Sequence, residues 1–336
     1  MTQQHILITG VAGFLGSHLA DALLKRGHRV IGVDNLSMGS RENLQFALTY
    51  PDFAFHKLDI LDQEAFKAAV PAVDVVVHMA AAKIPRYSSR LGTLRINSQG
   101  SENALEIARN RQARFILAST SDVYGKSPQL PFKEDQDIVL GSSLIGRWSY
   151  ATSKLFDEHL VWGYQEEYNL EATIIRIFGS YGPRQHRSWW GGPQSVFIDT
   201  LLKGQSIPIH GDGQQTRSFT YVRDTVAGFV AAVEKPEASV GQLFNIGDDR
   251  EISILDLAHL IHRLMNSHSA GEANVQLIPY QKIADRPYED VRRRVPDNRK
   301  ARQLLGFSPQ TSLEEGLRQT IAWQSQFYQP SPLETV

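Results

Sequence analysis

The chain contains no cysteine. Disulfides, thiol nucleophiles, iron–sulfur clusters and thiolate zinc sites are thereby excluded. Neither charge is in excess: 35 Lys+Arg stand against 36 Asp+Glu, a formal net charge of −1. A general binder of nucleic acid or membrane surfaces needs a basic surplus. No apolar run approaches the ~20 residues of a membrane span, and MTQQHILITG opens without the basic stretch and apolar segment of a signal peptide. The expectation is a cytoplasmic protein with no nucleic-acid or membrane partner. HExxH and G-x-S-x-G are also missing, so metal-dependent and serine hydrolysis have no support. What remains is 336 residues, 42% hydrophobic, enough for a core and, at roughly 100–200 residues each, for two domains. There is no internal repeat and no low-complexity tract.

His5–Gly10 (HILITG) is a short β-branched run that stops at glycine, the pattern of a buried parallel strand. Gly10, Gly13 and Gly16 follow at GxxGxxG spacing. Phe14, Leu15, His18, Leu19 and Leu23 then recur at helical spacing up to the stop Lys25-Arg26-Gly27, and His28–Val33 forms a second strand ending at Asp34. Strand, glycine turn, helix, strand and acid make up a dinucleotide-binding unit. Gly10 permits the tight turn, Gly13 lets backbone approach a pyrophosphate, and Gly16 lets helix meet sheet. The helix N-terminus offers N–H groups to phosphate. Asp34 can accept from ribose hydroxyls and repels a 2′-phosphate, which favours NAD over NADP.

Further strands are expected at Phe53–Leu58, Val73–His78 and Arg114–Ala118, with helices over Gln63–Ala69 and Asn97–Arg109 between them. Alternation of this kind predicts a Rossmann-like, doubly wound parallel sheet in an α/β protein, with every strand C-terminus on one ligand-binding edge. Past residue 180 the texture changes. Tyr181–Pro193 (YGPRQHRSWWGGP) is a loop, and Gln194–Lys203, Ile252–Leu264 and Leu313–Trp323 have helical patterns. Pro208–Gly213 and Phe244–Gly247 are short extended pieces. The division expected is a dinucleotide domain over residues 1–180 and a smaller, interleaved α/β substrate cap over 181–336, with parts around 220–250 returning to the first.

Tyr150-Ala-Thr-Ser-Lys154 places a phenol and an ammonium one helical turn apart. Such a neighbour lowers a phenol's pKa and suits it to take a hydroxyl proton while a hydride leaves the same carbon. The motifs occur in the order Gly10-x-x-Gly13-x-x-Gly16, Asp34-Asn35, Asp59-Ile60, His78-Met79-Ala80-Ala81-Ala82, Asn97, Thr120 with Val-Tyr-Gly, and Tyr150-x-x-x-Lys154. This set resembles the extended short-chain dehydrogenase/reductase family, specifically its nucleotide-sugar epimerases, dehydratases and decarboxylases, across roughly residues 5–325.

The resemblance implies the following roles. Gly10, Gly13, Phe14, Leu15 and Gly16 hold the NAD pyrophosphate, Asp34 and Asn35 the adenosine ribose, and Asp59 and Ile60 the adenine. Ala80, Ala81, Ala82, Lys83, Asn97, Ser119 and Phe178 line the cofactor, and Lys154 also binds the nicotinamide ribose. Thr120 hydrogen-bonds the reacting sugar hydroxyl. Lys83, Ser121, Gly179 and Val196 contact substrate, while Arg217 and Arg286 clamp a nucleotide diphosphate bidentately. Many relatives carry Asn where this chain has Gly179. The Trp189-Trp190 loop has no counterpart in the pattern; it either closes over substrate or packs the cap.

Relatives begin alike: Tyr150 takes the C4 hydroxyl proton and NAD the C4 hydride. Epimerisation then needs only rotation of the ketone and hydride return. Dehydratases use an Asp-Glu pair after the threonine, and UDP-glucuronate decarboxylases use Thr-Ser-Glu. Here the run is Thr120-Ser121-Asp122, and Arg294-Val-Pro-Asp297 resembles the decarboxylases' later Arg-x-Pro-Asp. Asp122 reaches about one methylene less far than Glu, and a ~1 Å misplacement can lose ~10²-fold in rate. The first expectation is therefore a 4-epimerase acting on a UDP-hexose, with Thr120, Tyr150 and Lys154 catalytic. The alternative is a UDP-glucuronate decarboxylase or 4,6-dehydratase that uses Asp122. A non-catalytic NAD sensor would have no need of Thr120, Tyr150 and Lys154. A homodimer through the Asn97–Arg109 and Ser149–Tyr168 helices is expected from the relatives.

Overall fold

The computed structural model describes residues 2–83, 89–266, 273–283 and 288–328. The apolar runs of the first half form β1 (His5–Thr9), β2 (Arg29–Asp34), β3 (Phe53–Lys57), β4 (Val75–His78), β5 (Arg114–Thr120) and β6 (Ala172–Ile177). With the strand Gln242–Ile246 they build one sheet, in the order Gln242–Ile246, β6, β5, β4, β1, β2, β3. Each adjacent pair is parallel. Strands buried on both faces need apolar side chains on both, which is why VVVH and ATIIRI run nearly unbroken rather than alternating.

Helices cover the two faces. On one side α1 (Phe14–Leu24) packs against the helix Val222–Glu234 through Leu19, Leu23, Val226 and Phe229. On the other lie α2 (Gln63–Ala69), α3 (Arg90–Arg111) and α4 (Trp148–Tyr168), contributing Phe66, Leu105, Ala108 and Val161. The first of these cores continues into the cap, taking in Phe197, Ile207, Ile209, Leu257 and Leu317.

The cap comprises the helix Pro193–Leu202, the paired strands Ile207–His210 and Val275–Ile278, and a three-strand sheet of Glu251–Ser253, Thr216–Ser218 and Arg293–Arg294. Several boundaries move from the sequence expectation. α3 begins seven residues before Asn97, because Ser89 caps it by accepting from the Gly92 amide at 3.1 Å. β4 begins at Val75 rather than Val73, and β5 runs on to Thr120. The Ile252–Leu264 pattern splits: Ser253 ends a strand and caps the helix Ile254–Met265. Among the described residues no helix is long and apolar enough to cross a membrane.

Candidate functional site

The parallel sheet delivers its motifs to one edge. Gly10 follows β1, Asp34 ends β2, Asp59 lies just beyond β3, Ala80 just beyond β4, Thr120 ends β5 and Phe178 follows β6. Gly10 has φ +71°, and a Cβ there would meet the Ala80 amide nitrogen at 2.8 Å. A Cβ on Gly16 would lie 2.2 Å from the Gly10 carbonyl oxygen. Gly13 caps α1 with no side-chain hydrogen bond, so the first-turn amides face out over a surface kept free of side chains. Beneath the turn, Thr9 Oγ1 accepts from the Met79 and Ala80 amides and bonds His78 Nδ1, fastening β1 to β4.

The Asp34 carboxylate accepts from the Ala12 amide (3.0 Å) and the Leu36 amide (2.8 Å). Burial raises its pKa despite those two bonds. Asn35 donates to Asp59 at 3.0 Å, and Asp59 accepts from the Leu61 amide. Ile60 is buried, and its carbonyl takes Asn103. Asn97 both donates to and accepts from the backbone of Ala82 and donates to Ser153 of α4, so the segment after β4 is tied to the helix carrying Tyr150. Ala81 is exposed beside it. These residues fit a dinucleotide: a cradle that Cβ atoms would fill, a helix N-terminus, and a fixed carboxylate at the end of β2.

Next to this groove is a cavity of about 400 Å³, of the size that takes a small ligand. Phe14, Leu15, Lys83, Ser119, Thr120, Ser121, Asp122, Tyr150, Phe178, Gly179 and Arg217 line it. One expected residue stands elsewhere. Val196 is buried in the main core with Phe197 and is not part of the lining among the described residues. Arg286 lies outside the described residues. Gly179 has φ +41°, and a Cβ there would be 2.1 Å from the Ser218 carbonyl; the strand end is too close for the Asn that many relatives carry.

Two expectations about the Tyr150–Lys154 pair are corrected. The phenol is raised above its ordinary pKa, not lowered: burial is the main cause, Asp122 adds to it, and a hydrogen bond with Thr120 opposes it. The Lys154 ammonium instead bonds Asp157 at 3.0 Å, with 1% and 0% side-chain exposure. Asp157 sits three residues on, within the same helical turn, and takes the charge that the phenol was expected to feel. Ser119 donates to the buried Glu158 at 2.5 Å, and Glu158 pairs with Arg176.

Asp122 accepts from Arg147 at 3.1 Å and also pairs with Arg294. Burial pushes its pKa up, but Arg294 and Arg147 outweigh burial and hold it below the ordinary carboxylate range. Asp290 pairs with Arg147 and with Arg217 (2.9 Å). Burial of Arg217 lowers its pKa to about 10, with Asp290 opposing that fall. Arg147 and Asp290 were not singled out from the sequence. The only signal for Arg147 is its place one turn ahead of Tyr150; that for Asp290 is its place at the end of the segment that begins with Arg286.

A family model described as GDP-mannose 4,6 dehydratase matches residues 7–320. The chain belongs to that family. A UDP-N-acetyl-alpha-D-glucosaminuronate decarboxylase of Bacillus cytotoxicus is 38% identical over 325 residues, covering 96% of this chain and 98% of the relative. UDP-glucuronic acid decarboxylase 1 of Xenopus tropicalis is 35% identical over 321 residues, covering 95% of this chain and 72% of the relative. Among solved structures, the UDP-glucuronic acid 4-epimerase of Bacillus cereus, in complex with UDP-glucuronic acid and NAD, is 31% identical with a TM-score of 0.82, covering 96% of this chain and 100% of the other. The resemblance to the extended short-chain dehydrogenase/reductases therefore holds, and the fold is theirs. Against this family the Trp189-Trp190 loop takes on a definite geometry: Trp189 stacks on His210 (ring centroids 4.0 Å apart) and Arg187 lies over Phe327, while both tryptophans line the cavity. The loop both packs the cap and walls the cavity.

Proposed function

We propose that the protein is an NAD-dependent decarboxylase of a UDP-uronate, working through a 4-keto sugar. The observation that carries this reading is the contact between Asp122 and Arg294 in the wall of the cavity. These are the two features of the sequence that resemble decarboxylases, and they lie 172 positions apart. The names of the Bacillus cytotoxicus and Xenopus tropicalis relatives support it.

NAD, held by the glycine turn and Asp34, supplies a hydride acceptor and a positive charge when bound. The chain does the rest. Arg217 takes the diphosphate beside its contact with Asp290. Thr120 and Tyr150 hold the C4 oxygen, and Tyr150 accepts its proton. Burial and Asp122 favour the neutral phenol, so positive charge, that of Lys154 included, must offset them for Tyr150 to act as base. Oxidation at C4 makes the C6 carboxylate a β-keto acid. Arg294 is the counter-ion for that carboxylate. Since Arg294 already holds ionised Asp122, two carboxylates then share one guanidinium, and loss of CO₂ relieves their repulsion. The enolate left behind is held at its oxygen by Thr120 and Tyr150; a solvent-derived proton is added at C5, and Tyr150 gives its proton back to the C4 oxygen as the hydride returns to C4, so that the only net change is CO₂ replaced by a proton.

The test is mass spectrometry after incubation with NAD and either UDP-glucuronate or UDP-N-acetylglucosaminuronate, in H₂O and in D₂O. Loss of CO₂ with deuterium at C5 is expected. An isomer of unchanged mass and no deuterium would establish the second reading, a 4-epimerase. That reading is favoured by the likeness to the Bacillus cereus epimerase, and it needs Thr120, Tyr150 and Lys154 but no carboxylate at 122. We also propose the division into residues 1–180 and 181–336, with parts around 220–250 returning to the first, a cytoplasmic location, and a homodimer through α3 and α4. The exposed Leu91 and Phe156 on those helices support the dimer, and light scattering on the purified protein tests it.

A further inference from the structure

Arg147 belongs to none of the sequence motifs. It is the N-cap residue of α4 and stands three positions before Tyr150. Its side chain lies over the rings of Trp148 (5.0 Å) and Tyr288 (5.9 Å). Its guanidinium is occupied on both forks. Nη2 donates to Asp122 at 3.1 Å, while Nη1 donates to the Glu289 carbonyl at 3.1 Å and pairs with Asp290. With Arg217 on Asp290 and Arg294 on Asp122, five charges alternate in sign: Arg217, Asp290, Arg147, Asp122, Arg294. All five line the cavity.

We propose that Arg147 is a positioning residue for the reaction: it fixes the Asp122 carboxylate at the cavity wall and, through Asp290, joins it to Arg217. This rests on the decarboxylase reading. A rigid planar fork can hold two carboxylates at set angles, which a lysine ammonium on its flexible stem cannot. It answers the difficulty raised by Asp in place of Glu, because the shorter side chain is met by a guanidinium from the helix that carries Tyr150. The groups facing Asp122 are Arg147 from the α4 N-terminus, Tyr150 from α4, Arg294, Arg217 and Asp290 from the cap, and Lys83 from the segment after β4. Of these, Arg147 and Arg294 are in contact with it. Arg294 is shared with the substrate carboxylate, which leaves Arg147 as the contact for which the substrate does not compete.

The test is CO₂ release against pH at saturating UDP-uronate, for the wild type, Arg147→Gln, Arg147→Lys, Asp122→Asn and the double variant Arg147→Gln/Asp122→Asn. Arg147→Gln is expected to lower kcat by about tenfold or more and to move its acid limb to higher pH, because Asp122 loses a cation that keeps it ionised. KM should change less than kcat. Arg147→Lys should restore the acid limb but only part of kcat, and it keeps the test alive should the Gln variant fail to fold. The double variant should be no slower than Asp122→Asn alone. An Arg147→Gln enzyme with an unmoved acid limb, or effects that add in the double variant, would overturn the proposal while leaving the decarboxylase reading intact. No CO₂ from the wild type, together with an active Asp122→Asn, would overturn both.

Discussion

Tyr150 is pulled the wrong way for a base by its own burial and by the Asp122 and Asp157 carboxylates. On the proposed mechanism its reactivity therefore depends on what the site adds. Replacing Tyr150 with Phe keeps the ring's packing and deletes the acid–base group. Turnover should fall by ~10²-fold or more, the scale of a lost proton-transfer group, while the NAD affinity measured by calorimetry stays within a small factor of wild type. Near-normal turnover in that variant would remove Tyr150 from the mechanism. Lys154 is not interchangeable with it: it is the buried partner of Asp157, besides its part in the proposed chemistry.

At the scale of elements, β6 and α4 are joined by the pair Arg176–Glu158. Its side chains are 5% and 3% exposed, and it is bidentate at 2.7 and 3.0 Å. Removing one member of such a pair leaves an uncompensated buried charge, at about 3–5 kcal/mol. Arg176→Met should lose about that much in urea denaturation, and Arg176→Met with Glu158→Gln should recover part of it; a loss under 1 kcal/mol would show the pair to be dispensable. This pair illustrates what the sequence hides. The local signals were strong: glycines at fixed spacing and β-branched runs closed by Gly10 and Asp34 gave the sheet and its edge, while Thr120, Ser121, Gly179 and Arg217 in the cavity lining came from the family resemblance. Partnerships between distant segments were not legible. Nothing near Asp122 announces Arg294, and nothing near Lys154 says that Asp157, rather than the phenol, will hold its charge. Helix starts set by a single cap, such as Ser89 for α3, slipped for a related reason: the apolar pattern begins later than the hydrogen bonds do.

For the whole molecule, the alternating charges around Arg147 also join the cap to the sheet domain, and they give that joint a pH dependence. Arg217 and Arg147 hold Asp290 below its ordinary pKa against the opposing effect of burial. Its contribution to stability is thus fully present above the unfolded value of about 4 and is lost as pH falls toward the lower folded value. Asp290→Asn should be less stable than wild type at pH 7, and the gap should narrow steadily below about pH 4; a gap independent of pH would show that the charge contributes nothing there. One feature of the sheet bears on how the chain can be divided at all. The strand Gln242–Ile246, which pairs with β6 along Thr173–Ile177, comes from beyond the first cap segments. A polypeptide ending at residue 180 would therefore present β6 as a bare, apolar edge, open to any other strand that met it. On a ribosome, the first half of this protein is in that state until some sixty further residues have emerged. The cap segments made in that interval precede the strand that seals the edge, so during synthesis the cap must wait, unfinished, while the sheet is made safe.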